Sequence, residues 1–206
     1  MVRKTKRQSM SSIARKAVHS ALAKNVEVKK NYSNGTHSIL TSGVLAVPLA
    51  GLAVGTLSDE RIGNNVSLLS MNMRANFENG DPNNTIRMLC LELYEAQNLT
   101  TFTAVDCFNG ITTPFVGAIN SQVDRQIVKR VLYDKTINLN PNWNGASKFR
   151  YMKAYVRLSK TGKKIQFADG IAQPQQGHFY WVFVSDSAIA PSPRLQYAVE
   201  TRYTDL

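Results

Sequence analysis

Over most of this chain apolar and polar residues take turns. Met71, Met73, Ala75 and Phe77 alternate with Ser70, Asn72, Arg74 and Asn76, the period of a strand with one buried face. Val66 and Leu68 lead into this run, and the adjacent pair Leu68-Leu69 breaks the alternation, which predicts a bulge there. Residues 151–158 place Met152, Ala154, Val156 and Leu158 on one face and Tyr151, Lys153, Tyr155 and Arg157 on the other. Leu195, Tyr197, Val199, Thr201 and Tyr203 alternate with Gln196, Ala198, Glu200 and Arg202. Residues 85–94 are apolar almost throughout, as in a strand covered on both faces. Residues 178–184 are aromatic and β-branched. Strands at 36–42, 126–134 and 164–167 bring the prediction to eight.

Turn chemistry separates these runs. Gly, Pro, Asn and Asp gather at 31–35, 78–82, 138–146, 160–163, 173–177 and 190–193. Two long loops are predicted, near 97–125 and 138–149. The apolar stretch 39–55 is short for a membrane span and holds Ser42, Gly43, Pro48 and Gly51, so it reads as a strand followed by an apolar loop, with no membrane insertion. Eight antiparallel strands with long end loops predict an all-β, two-sheet sandwich, with the jelly roll as the leading architecture.

The N-terminal segment differs from the rest. From Ser9 the apolar positions Ile13, Ala14, Ala17, Val18, Ala21 and Leu22 fall at helical spacing, with Arg15, Lys16, His19 and Lys24 between them. This predicts a short amphipathic helix of about four turns, marginal in water by itself. Its stripe is mostly alanine, without Trp or Phe, which disfavours a membrane surface.

Charge sharpens that division. Among residues 1–30 nine are basic (Arg3, Lys4, Lys6, Arg7, Arg15, Lys16, Lys24, Lys29 and Lys30) and only Glu27 is acidic, so the segment carries +8 of the net +11. Such asymmetry predicts a basic arm over 1–30 that neutralises a polyanion, joined to a folded domain over 31–206. Flexible cations contact phosphates, which carry no sequence information, so binding without sequence readout is expected. Arg3-Lys4-Thr5-Lys6-Arg7 also fits a nuclear localisation signal.

Catalytic signatures are sparse. The chain has no GxGxxG, P-loop or G-x-S-x-G sequence. Cys90 and Cys107 form no CxxC pattern and predict reduced thiols in or near the core. His19, His37 and His178 lack metal-ligand spacing. Asp59, Glu60, Asp134 and Asp205 offer carboxylates for an interfacial divalent cation, though their spacing favours solvated turn charges; no other cofactor and no enzymatic activity are expected.

The segment Gly55-Thr56-Leu57-Ser58-Asp59-Glu60-Arg61-Ile62-Gly63, leading into a long alternating strand, resembles the G-T-x-x-x-x-R-I-G segment of capsid proteins of circular single-stranded DNA viruses. Arg130-Val131-Leu132-Tyr133-Asp134-Lys135 resembles a strand end of the same family. Ser185-Asp186-Ser187, Pro191 and the closing Tyr203-Thr204-Asp205 resemble its last hairpin. These elements occur in the family's order, behind a basic arm. The resemblance implies a single jelly roll, similar to that of small satellite plant viruses, assembling as a homo-oligomer of about 60 copies, the smallest icosahedral closure. It implies a single-stranded genome inside, a virion location, and a host-cell receptor whose identity the residues leave open. The short helical arm is closer to the satellite-virus pattern, which leaves DNA and RNA both open. In this frame Ile62 is expected to bury, Arg61 to pair with a nearby carboxylate, and Asp134-Lys135 to end a strand.

Two other classes fit parts of the pattern. A nucleic-acid-binding barrel would expose Tyr151 and Tyr155 beside Lys153 and Arg157 for base stacking. A lectin-like sandwich would carry the basic segment incidentally.

Overall fold

The computed structural model describes residues 27–49, 51–57, 59–80, 84–95, 97, 101–109, 123–139, 149–159, 162–172, 174–176, 178–186 and 190–205. The expected helix over 9–24 lies outside them. The described residues form strands β1 (Lys29–Ser38), β2 (Val44–Ala46), β3 (Asn65–Glu78), β4 (Thr85–Leu93), β5 (Val128–Asn138), β6 (Phe149–Arg157), β7 (Lys163–Phe167), β8 (Pro174–Gln176), β9 (Phe179–Ser185) and β10 (Arg194–Asp205). One short 3-10 turn, Ala104–Cys107, lies between β4 and β5. The protein is all-β, a sandwich of two antiparallel sheets.

The first sheet runs β1-β10-β3-β7-β8, with β6 also paired to β3; the second runs β2-β9-β4-β5. β3 is 14 residues long. That length lets one edge of β3 hold two strands in succession, β7 along its start and β6 along the rest. Opposite β10 the register slips: Arg202 faces Ser70 while Tyr203 faces Leu68. Leu69 is the extra residue, so the bulge falls at the predicted dileucine.

The alternation sets the layers. Val66, Leu68, Met71, Met73, Ala75, Phe77, Val199 and Tyr203 point inward from the first sheet, and Ile86, Met88, Cys90, Trp181 and Phe183 meet them from the second. A second cluster covers the far face of the second sheet, where Leu89, Leu91, Tyr180, Val182 and Val184 pack against Phe102, Ala104, Cys107, Phe108 and Val123. The near-continuous apolar run in β4 thus has the cause its sequence predicted, burial on both sides. The outer face of the first sheet is exposed. Cys90 and Cys107 are free and buried. Burial pushes both thiols up, Cys107 to about 12 with help from Asp106 and Asp124.

Several expectations need correction. The described residues form ten strands, two more than expected, because β2 and β8, each of three residues, lie in stretches whose composition predicts loop. β1 begins at Lys29, through residues 31–35 that carry turn chemistry. Its pairing with β10 along its whole length, Lys29 opposite Tyr203 to Ser38 opposite Arg194, overrides the local propensity. Lys29 and Lys30 therefore belong to a strand of the sandwich. Asp134 and Lys135 sit inside β5, four and three residues before its end.

Candidate nucleic-acid interface

Of the nine basic residues predicted to bind nucleic acid, Arg3, Lys4, Lys6, Arg7, Arg15, Lys16 and Lys24 lie outside the described residues. The other two have definite places in β1. Lys29 points inward at 5% exposure. Its ammonium lies 3.0 Å from the Asp205 carboxylate and donates to the Glu60 carbonyl oxygen at 2.9 Å. Its charge is spent inside the protein, on Asp205 and the Glu60 carbonyl. Lys30 points outward and stays near solvent, 3.9 Å from Glu200.

Beyond Lys30 the strands place further cations on the same face. Register fixes the rows across the first sheet. Lys30, Arg202, Ser70 and Arg157 form one row; Tyr32, Glu200, Asn72 and Tyr155 form the next. Asn34, Ala198, Arg74 and Lys153 follow, then Thr36, Gln196, Asn76 and Tyr151. Arg194 with Glu78 closes the face at one end, and Lys164 on β7 lies at the other. Seven cations stand against two carboxylates, a net +5. Tyr32, Tyr151 and Tyr155 are 61%, 54% and 61% exposed.

Part of this charge is internally balanced. Arg202 and Lys30 hold the Glu200 carboxyl below its usual range, and the Tyr32 hydroxyl donates to it at 3.3 Å. Arg194 lies 3.8 Å from Glu78. Arg74, Lys153, Arg157 and Lys164 have no ion-pair partner among the described residues. The Lys153 ammonium sits 5.7 Å from the centre of the Tyr151 ring, within cation–π range. The face thus combines uncommitted cations with exposed aromatic rings. Sequence reasoning found the β6 part of it from alternation. It missed Tyr32, Asn34 and Thr36 on β1, which alternate in step with Lys30 but inside apparent turn chemistry.

The segment 54–64 holds one end of the sandwich together, with roles opposite to those expected. Arg61 is fully buried and Ile62 is 65% exposed. The Arg61 guanidinium donates to the carbonyls of Gly63 (2.6 Å) and Ile171 (2.9 Å) and to Asn64 Oδ1 (2.9 Å). It stacks 4.4 Å from the Phe167 ring centre. Five donors in a flat fork suit this set of carbonyls, which is why arginine buries where the isoleucine does not. Desolvation lowers its pKa, opposed by the charges of Asp169 and Asp205. A Cβ at Gly55 would fall 1.9 Å from Glu60 Oε2, so any larger residue there would displace the Glu60 carboxylate.

The carboxylates considered for a cation are divided. Asp205 pairs with Lys29, and Asp134 pairs with the buried Arg87 at 2.9 Å. Asp59, Glu60 and Asp205 all act on Tyr203, whose hydroxyl is pushed up to about 12, mainly by burial. Among the described residues no group of three or more His, Cys, Asp and Glu is placed to hold a metal ion. His178 is buried and His37 stacks on Tyr197 at 5.8 Å. No helix of the described residues is long and apolar enough to cross a membrane. No protein-family model matches this chain, and a search of curated proteins finds no match.

Proposed function

We propose that this chain is a viral capsid subunit: a jelly roll that self-assembles into a small icosahedral shell and packages single-stranded nucleic acid through its basic N-terminal segment. The observation that carries the reading is the nested pairing of strands behind that segment. β1 pairs with β10, β2 with β9, β3 with β6 and β7, and β4 with β5. A long antiparallel ribbon rolled on itself gives this order, with β10 against β3 and β9 against β4 closing the roll. This order supports the jelly-roll reading. Residues 1–28 carry seven cations against Glu27 and run directly into the edge strand β1. Exposed Val54, Leu57, Ile62 and Ile171 supply apolar surface suited to contact between copies. Circular single-stranded DNA is the favoured genome, carried in a virion, and the chain itself performs no catalysis.

The test is electron microscopy of the purified full-length protein and of a chain lacking residues 1–26, with the 260/280 nm absorbance ratio. The truncation stops short of Lys29 because that residue belongs to the fold. Uniform closed particles, loaded with nucleic acid only when the segment is present, are expected. Soluble monomers or dimers in both, across salt and pH, overturn the proposal. A nucleic-acid-binding module is the second reading. The exposed tyrosines favour it, and the two separate sheets, in place of a closed barrel, count against it.

A further inference from the structure

We propose that the outer face of the first sheet is a second nucleic-acid-binding surface, on which Tyr32, Tyr151 and Tyr155 stack bases of an extended single strand while Arg74, Lys153 and Arg157 bind its phosphates. This deepens the packaging reading and rests on it for the partner.

Four observations carry the assignment. First, the two sheets are treated differently. The second sheet's far face lies under Phe102, Cys107 and Phe108, whereas this face leaves three tyrosines more than half exposed. Large rings on an uncovered sheet carry a solvation cost that a stacking partner removes. Second, the charge matches a polyanion. The face is +5, and Arg74, Lys153 and Arg157 are free of ion pairs among the described residues. Third, cation and ring alternate. Arg157, Tyr155, Lys153 and Tyr151 are successive outward residues of β6, and Arg74 lies beside Lys153 in register. Fourth, the cationic N-terminal segment enters the same sheet through β1, whose Lys30 and Tyr32 point to this face.

Geometry selects the form of nucleic acid. Tyr32 and Tyr155 share a row three strands apart, about 14 Å at ordinary strand spacing. Tyr151 and Tyr155 are four residues apart on one strand, about 13 Å. Bases in a duplex stack at about 3.4 Å and hide their faces from such platforms. An extended strand, its bases unstacked, presents them. The face should therefore prefer single strands and care little for sequence, because every base has a π-face.

The experiment measures binding of full-length protein to a 30-nucleotide oligo(dT), an abasic strand of equal length and charge, and a duplex, by fluorescence anisotropy at several salt concentrations. The N-terminal segment reads phosphate alone and treats the first two equally. Stacking adds affinity only for oligo(dT). The wild type is expected to favour oligo(dT) over the abasic strand at least about fivefold for each engaged ring. Tyr151→Ala with Tyr155→Ala should remove most of that preference and leave abasic binding unchanged. Tyr151→Phe with Tyr155→Phe should keep it. Lys153→Gln with Arg157→Gln should weaken both strands and flatten the salt slope by about 0.7 per cation lost. All these side chains are exposed, and an unchanged thermal midpoint verifies the fold.

Equal affinity of the wild type for oligo(dT) and the abasic strand overturns the proposal. So does a preference that is undiminished by loss of both rings. If the alanine pair abolishes particles in electron microscopy while oligonucleotide binding is intact, the face is a contact between copies and the proposal falls. If the preference is found but no particles ever form, the surface stands and the shell reading fails.

Discussion

At the scale of single residues, Arg61 shows how a charge comes to lie inside an apolar fold. The side chain is fully buried, yet it donates to three carbonyls and a side-chain amide oxygen and lies against an aromatic ring. Loss of its donors would strand those acceptors away from water, and each orphan costs about 1–3 kcal/mol. Arg61→Met is therefore expected to destabilise the protein by roughly 3–5 kcal/mol, two or more such orphans together. Arg61→Lys should recover little, since one ammonium cannot match a planar fork. Urea unfolding of both variants checks this, and a lysine variant within about 1 kcal/mol of wild type would contradict it. Ile62→Ala should be nearly silent in the same experiment because the side chain is exposed.

At the scale of elements, Glu92 on β4 ties the two sheets at one edge. Its carboxylate is 3% exposed and receives Lys163 from β7 at 2.9 Å, with Arg130 and Lys129 from β5 at 2.9 and 3.5 Å. Desolvation raises its pKa, but the hydrogen bond and charge of Lys163, then Arg130 and Lys129, outweigh it and leave the group below its usual value. A depressed folded pKa contributes stability that is full above the unfolded value near 4.3 and is lost as pH falls through the folded value. Glu92→Gln should thus lose about 1–3 kcal/mol at neutral pH. Its thermal midpoint should converge on the wild type's as pH falls below about 4. A constant gap down to pH 2 would refute the linkage. This clamp was invisible in the sequence, because β4 and β7 are brought together only by the packing of the two sheets. What alternation alone could encode was legible: the inner and outer faces of β3, β6 and β10, the bulge at Leu69, and the double cover of β4. The three-residue strands β2 and β8 give too few positions to show a period. β1 was half hidden because Asn31, Ser33, Asn34 and Gly35 have turn chemistry, and only the long register with β10 makes them a strand. The same blindness assigned Lys29 to a free arm and left Tyr32 out of the candidate interface.

At the scale of the whole molecule, charge and fold meet at the start of β1. Removal of residues 1–26 takes away seven cations and leaves every described strand whole, so the sandwich is expected to stay folded. Removal of residues 1–30 also deletes Lys29, leaves Asp205 without its partner, and shortens the edge strand. The longer deletion is expected to cost about 1–3 kcal/mol more than the shorter. The shorter deletion then isolates electrostatics. For single strands the logarithm of affinity falls with the logarithm of salt at about 0.7 per phosphate neutralised. Seven cations predict a slope reduced by about 5, provided all of them reach phosphates. A residual slope of about 2–3 should persist from Arg74, Lys153, Arg157 and Lys164 on the outer face, which have no ion-pair partner among the described residues. Titration of both chains with an oligonucleotide between 50 and 300 mM salt measures the two contributions separately. An unchanged slope in the shorter deletion would mean that the segment does not bind the strand. A slope of zero would mean that the sheet face does not, and that every contact with the polyanion belongs to the segment ahead of β1.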